Sequence, residues 1–166
     1  MTLDRIPAGA RVFLDSTIFI YHFTGASLDC RALLERCEAG DVKGATSVVV
    51  VAEVAHRLML LEALASGLVA PPRALKKLRA HPELVRGLRL YQDQVEQIPL
   101  MGVDVFPAQL RTLARAADVR RRHGLLVNDS LVVAAAEAAQ IGALASADTD
   151  FRRVKELKLY QPSDLA

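Results

Sequence analysis

Short apolar runs alternate along this chain with longer stretches in which apolar residues recur every three or four positions. RVFLD, residues 11 to 15, is compact and apolar enough for a strand. In SLDCRALLERCEAG, Ser27 is a natural N-cap, Cys30, Leu33, Leu34 and Cys37 fall on one helical stripe, and Gly40 supplies a stop. VKGATSVVVVAEVAHRLMLLEALASG carries two competing signals. Four consecutive valines suit a strand, yet Val51, Val54, Ala55 and Leu58 keep the i, i+3, i+4, i+7 spacing of a helix. The pattern predicts a short strand near 42–46, then a helix from Thr46 or Ser47 to about Ser66, closed by Gly67. Pro71 and Pro72 open a further helical region that Pro82 interrupts, so 71–97 is expected to form two helices with a break.

QIPLMGVD, residues 97 to 104, predicts a strand, and Pro107 sits where the first turn of a helix through about His123 would begin, with Gly124 as its stop. LLVNDSLVVAAAEAAQIG predicts another helix, with Asn128 as N-cap, Val132, Val133, Ala136 and Ala139 as its apolar side, and Gly142 as terminator. ALAS (143–146) predicts a strand, ADTDF a turn followed by a short helical turn, and LKLYQP a last strand. Regular alternation of strands and helices points to an α/β fold around a parallel sheet. In such sheets ligands bind beyond the carboxyl ends of the strands.

Composition narrows the class. At 166 residues, 52% hydrophobic and 24% charged, the chain matches one compact domain over 1–166. The start, MTLDRIPAGA, is not an apolar signal segment, and no apolar run approaches the roughly 18 to 20 residues of a bilayer span, so a soluble, cytoplasmic protein with no membrane association is expected. Cys30 and Cys37, seven apart on a helical stripe, read as small core residues and not as a metal or redox pair. The net charge of +2 neither demands nor excludes nucleic acid.

Placement of the acidic residues says more. Asp15 ends the first strand, Asp129 falls in the first turn of the helix after LLVN, and Asp148 follows ALAS by two residues. Glu53 lies two turns into a valine-rich helix, where an ionised carboxylate is costly unless paired. Each has a structural explanation: Asp15 as a helix cap, Asp129 as a partner of the helix dipole, Asp148 as a turn former, Glu53 as the partner of Arg57. Brought together, the same four would repel one another and attract a hard divalent ion.

These stretches resemble the motifs of PIN-domain nucleases. LDSTIFIYHF is similar to the opening motif, a strand ending in Asp with small polar residues after it, here Asp15, Ser16 and Thr17. TSVVVVAEV resembles the second, with Ser47 six residues before Glu53. NDSLVVAAAEA resembles the third, in which Asp129 begins an alanine-rich helix, and ASADTDF the fourth, with Asp148 supported by Ser146 and Asp150. The resemblance covers nearly the whole chain, and its layout is like that of the toxins of VapC-type toxin-antitoxin pairs. Two departures stand out: Thr17 replaces the commoner Asn, and the helical, basic 71–97 region is longer than in the smallest toxins.

The resemblance implies a PIN-like three-layer α/β fold, a central, mostly parallel sheet flanked by helices. It implies metal-dependent endonucleolytic hydrolysis of RNA with one or two Mg2+ or Mn2+ ions held by Asp15, Asp129 and Asp148, with Glu53 completing the shell or orienting water. Thr17, Ser146 and Asp150 would support them. It also implies a homodimer and a cognate antitoxin; a PIN nuclease that is not a toxin, or a non-catalytic binding module, are the alternatives. Arg73, Lys76 and Lys77, and Arg120, Arg121 and Arg122, are candidate RNA contacts or simply solvated helix faces. His22 and His56 lie near the motifs but are expected to be satisfied or surface residues. A haloacid-dehalogenase-type phosphatase needs a second Asp where Thr17 stands, and a receiver domain needs an acidic pair and a late lysine that this chain does not place.

Overall fold

A computed structural model describes residues 1–165. Five strands form one sheet: β1 (Arg11–Leu14), β2 (Lys43–Ser47), β3 (Val103–Phe106), β4 (Ala143–Ala145) and β5 (Lys158–Tyr160). Their order is β3-β2-β1-β4-β5, and every pairing is parallel, so the sheet is wholly and not just mostly parallel. β1 lies at the centre, and Val12, Phe13 and Leu14 have no solvent exposure, as expected for a strand covered on both faces.

The helices are α1 (Ser16–Phe23), α2 (Leu28–Glu38), α3 (Val48–Ala65), α4 (Ala74–Ala80), α5 (Pro82–Gly87), α6 (Leu90–Gln97), α7 (Leu110–His123) and α8 (Val127–Ala138). From β1 the chain steps through β2 to β3 in one direction, then crosses to β4 and β5 in the other. Right-handed crossovers therefore place α1 to α6 and α7 to α8 on opposite faces. α2 buries Cys30, Leu33, Leu34 and Cys37 as its stripe predicts, and Ser27 accepts the N–H of Cys30 at its start. Gly44 permits this close approach, since a Cβ there would stand 2.9 Å from the Cys37 sulfur. Burial pushes both thiols up to about 11, in keeping with inert core residues.

α3 shows how the valine run resolves. Ser47 ends β2 and caps the helix, and Val50, Val54 and Leu58 turn inward while Val48 stays exposed. The helical period wins because a strand would have buried alternate valines with nothing to cover them.

Five expectations need correction. Residues 71–97 form three helices, not two: Pro82 breaks the chain as expected, but a second break precedes α6, where Glu62 of α3 accepts the N–H groups of Arg89, Leu90 and Tyr91. QIPLMGVD is not one strand. Ile98–Met101 form a 3-10 turn, and Gly102, at φ 69°, passes so near the Cys37 carbonyl that a Cβ would stand 2.5 Å from it. β3 then continues to Phe106, paired with Ser47, so Pro107 precedes α7 without opening it. At α8 the cap is Leu126 and not Asn128, because the chain is already anchored by buried Leu125. α8 stops at Ala138, where burial of Ile141 requires a reversal that Gln140 supplies at φ 55°, so Gly142 is not the terminator.

A second, smaller apolar cluster, Ala63, Val69, Leu78 and Leu88, lies under α4 to α6 beside the main core. Among the described residues no helix is long and apolar enough to cross a membrane.

Candidate active site

The direction of the connections reverses between β1 and β4, so the crevice of this sheet opens at the carboxyl ends of those two neighbouring strands. Asp15 follows β1, and Ser146 follows β4. They meet there: Ser146 Oγ donates to Asp15 Oδ2 over 2.7 Å, and Thr17 Oγ1 donates to the same oxygen over 2.8 Å. The Thr17 backbone N–H, at 3.4 Å, is the helix-capping contact of α1. Asp15 is 5% exposed and Ser146 fully buried, so this carboxylate is fixed in orientation by the fold and by two hydroxyl protons. Thr17 Oγ1 also accepts the N–H of Ala147, and Ser146 Oγ that of Asp148, which welds the end of β4 to the start of α1.

Asp148 in turn caps the Thr149–Arg153 turn by accepting the N–H of Asp150, whose own carboxylate pairs with Arg153 at 3.0 Å. Asp129 occupies the third position of α8, half-buried, with the Leu126 N–H near enough to favour its charged form. Beside it, buried Ser130 donates to the Val127 carbonyl and accepts Arg120 Nη1 at 2.9 Å. Glu53 lies half-buried in the second turn of α3, with the Ser16 hydroxyl near enough to favour its charged form.

The carboxylates of these segments also act on one another. Burial raises the Glu53 pKa above the ordinary carboxylate range, and the charges of Asp15 and Asp129 raise it further; Arg57 and Ser16 oppose them. Burial likewise raises that of Asp129, reinforced by Asp148, Asp15 and Asp150. Asp15 thus acts on both Glu53 and Asp129, and Asp148 acts on Asp129. Among the described residues, no three Asp, Glu, His or Cys side chains stand close enough to form a finished metal cage. The donors present are nonetheless all oxygen, mutually repelling and rigidly backed at Asp15, a set that suits a hard divalent cation and no soft metal.

The other expected residues separate. Thr17, Ser146 and Asp150 join the group, while Arg73, Lys76 and Lys77 stand exposed around the start of α4. Arg120 is spent on Ser130, Arg121 pairs with Asp118, and Arg122 pairs with Glu137 at 3.2 Å. His56 is exposed; His22 is half-buried, with its pKa lowered by burial and by Arg31. An apolar groove of about 500 Å3, lined by Val49, Phe106, Leu110, Leu131 and Ala135, contains none of the carboxylates. Sequence reasoning gave Ser16 no role at the site; its place between Asp15 and Thr17, at the first position of α1, was the available signal.

A parallel sheet of this order, flanked by helices and with carboxylates at the ends of β1 and β4, defines an α/β class of fold. The PIN domain family matches residues 12–157, and the chain belongs to that family. It is 25% identical over 152 residues to Ribonuclease VapC2 of Methanocaldococcus jannaschii, covering 91% of this chain and 93% of that protein. The fold is shared with VapBC2 from Rickettsia felis bound to a promoter DNA fragment, at 17% identity and TM-score 0.59 over 92% of this chain and 99% of that one. It is also shared with Mycobacterium tuberculosis VapC20, a sarcin-ricin loop cleaving toxin, at 16% identity and TM-score 0.58 over 89% and 98%.

Proposed function

We propose that the chain is a metal-dependent endoribonuclease and the toxin of a toxin-antitoxin pair, a single PIN-like domain over 1–166 in which 71–97 is an added helical part. The observation that carries this is Asp15, buried at the β1/β4 crevice and held by the Thr17 and Ser146 hydroxyls, with its charge acting on Glu53 and Asp129. The names borne by similar proteins, a ribonuclease and toxin-antitoxin complexes, support the substrate and the partner. The proposed protein is a cytoplasmic homodimer inhibited by a cognate antitoxin, the last part supported by the toxin-antitoxin complexes it resembles in fold.

Asp15, Asp129 and Asp148 would hold one or two Mg2+ or Mn2+ ions, and Glu53 would complete the shell, directly or through water. When bound, such an ion polarises the phosphate, lowers the pKa of water and stabilises the leaving oxygen. The chain's own residues set the geometry. Thr17 and Ser146 fix Asp15 Oδ2 with two hydroxyl donors, so the carboxylate faces the crevice without rotating. Glu53, with its raised pKa, is suited to orient the attacking water and take its proton. Asp150, held by Arg153, keeps the Asp148 turn closed.

Purified chain incubated with a mixed RNA pool should cut it with Mg2+ or Mn2+ and not with chelator, and folded Asp15→Asn and Asp129→Asn variants should be inactive. Equal cleavage by the variants overturns the site assignment; no cleavage by the parent under any metal overturns the activity.

A further inference from the structure

An acidic crevice repels the very polyanion it is to cut, so some cation of the protein must hold the substrate backbone beside it. Several arginines on the segments that carry or adjoin these carboxylates are already engaged. Arg153 is divided between Asp150 and the Gly124 carbonyl, Arg152 is bonded through two nitrogens to Gln161, and Arg120 is drawn in to Ser130. Arg121 and Arg122 pair with Asp118 and Glu137.

Arg57 is different. It stands one turn beyond Glu53 on α3, on the same helical face, where side chains at i and i+4 begin roughly 5 to 6 Å apart. It is exposed, and among the described residues it has neither a hydrogen bond nor an ion pair within 4.0 Å, Glu53 included. Its charge is nevertheless close enough to favour the ionised form of Glu53. An exposed guanidinium beside a carboxylate group, with no partner of its own, has its donor fork available for a phosphate.

We infer that Arg57 anchors the RNA backbone at a phosphate flanking the cleavage point, a role that rests on the nuclease function proposed above. The five-donor guanidinium binds a non-bridging phosphate oxygen pair, which neutralises charge where the carboxylates would otherwise push the strand away, and it reads no base. Arg57 is therefore a substrate-binding residue, and the attack on phosphorus needs nothing from it.

The test uses the full chain carrying Asp15→Asn, which binds without cutting, and a fluorescein-labelled single-stranded RNA of mixed sequence in Ca2+ buffer, read by anisotropy across a salt series. Adding Arg57→Ala should weaken binding roughly tenfold, equally for different sequences, and reduce the slope of log K against log salt by about 0.7, one phosphate contact on a single strand. Arg57→Lys should keep the slope and lose part of the affinity, because a point charge replaces the fork. Unchanged affinity and slope in Arg57→Ala, with parent binding intact, overturns the Arg57 assignment alone. Failure of the parent to bind RNA, together with no cleavage by the wild-type chain, overturns both it and the nuclease function.

Discussion

Helix α3 carries two partly buried glutamates nine positions apart, and the protein treats them in opposite ways. Burial disfavours the charge of Glu62, but the N–H groups of Tyr91, Arg89 and Leu90 outweigh it and hold its pKa below the usual range. That carboxylate is satisfied, and it starts α6. Burial disfavours the charge of Glu53 too, yet the neighbours it meets are Asp15 and Asp129, so its pKa rises. One glutamate stabilises the fold; the other is an unrelieved charge kept where a cation or a proton can relieve it. The contrast teaches that a buried carboxylate marks chemistry only when its surroundings fail to satisfy it.

The largest expected difference between them is in activity. Glu53→Gln and Asp129→Asn should each lower metal-dependent RNA cleavage about 10³-fold, measured as single-turnover rates, whereas Glu62→Gln should leave the rate near that of the parent. Loss of activity in Glu62→Gln with the fold intact would break the division.

Ion binding should separate the two ends of the helix next. Mg2+ at 100 times its dissociation constant should stabilise the parent by about 2.7 kcal/mol in thermal or denaturant unfolding. The gain should vanish in Asp129→Asn and persist in Glu62→Gln. A gain that persists in Asp129→Asn would place the ion elsewhere.

Glu62→Ala removes the acceptor for three backbone donors and should cost roughly 1 to 2 kcal/mol, the scale of a lost helix cap. Hydrogen exchange should show the loss first at Arg89, Leu90 and Tyr91. Glu53→Ala should give no such local signature.

The smallest effect is in pH dependence, and its sign is opposite at the two sites. With its pKa raised on folding, Glu53 binds protons in the native state that the unfolded chain releases. Its contribution to stability is therefore full below the unfolded value of about 4.3 and falls as pH rises through the folded value. Glu53→Gln should then stabilise the metal-free protein at neutral pH and lose that advantage in acid. Glu62, lowered on folding, contributes above the unfolded value and loses its contribution as pH falls through the folded one. Glu62→Gln should accordingly cost stability at neutral pH and cost little in acid. Denaturant midpoints at pH 4 and 7 test both signs; equal signs would remove the distinction.

Much of the site was legible because its residues obey local rules. Asp15 ends an apolar run and begins a helix, Asp148 precedes a turn, and the α3 stripe and its Ser47 cap survive four valines. The errors fall where distant segments decide. Three of the five boundary corrections trace to a tertiary partner: Glu62 splits 71–97 a second time, the Cys37 carbonyl crowds Gly102, and Ser47 extends β3 past the expected helix start at Pro107. Three arginines in a row, Arg120 to Arg122, look alike in the sequence, and only the packing of α7 on α8 turns one of them inward to Ser130.

The sequence by itself determined the alternation of strands and helices, the inert cysteines on α2, and the positions of the four carboxylates relative to their elements, since each follows from periodicity, capping and turn chemistry within a few residues. Only the tertiary structure decided that β4 lies beside β1, that Ser146 and Thr17 aim their hydroxyls at one oxygen of Asp15, and that Glu53 is charged against Asp15 and Asp129 while Glu62 is not. Local patterns fix where a side chain leaves its own helix or strand. What it meets depends on crossovers that join residues more than a hundred positions apart, and no short-range pattern carries that information.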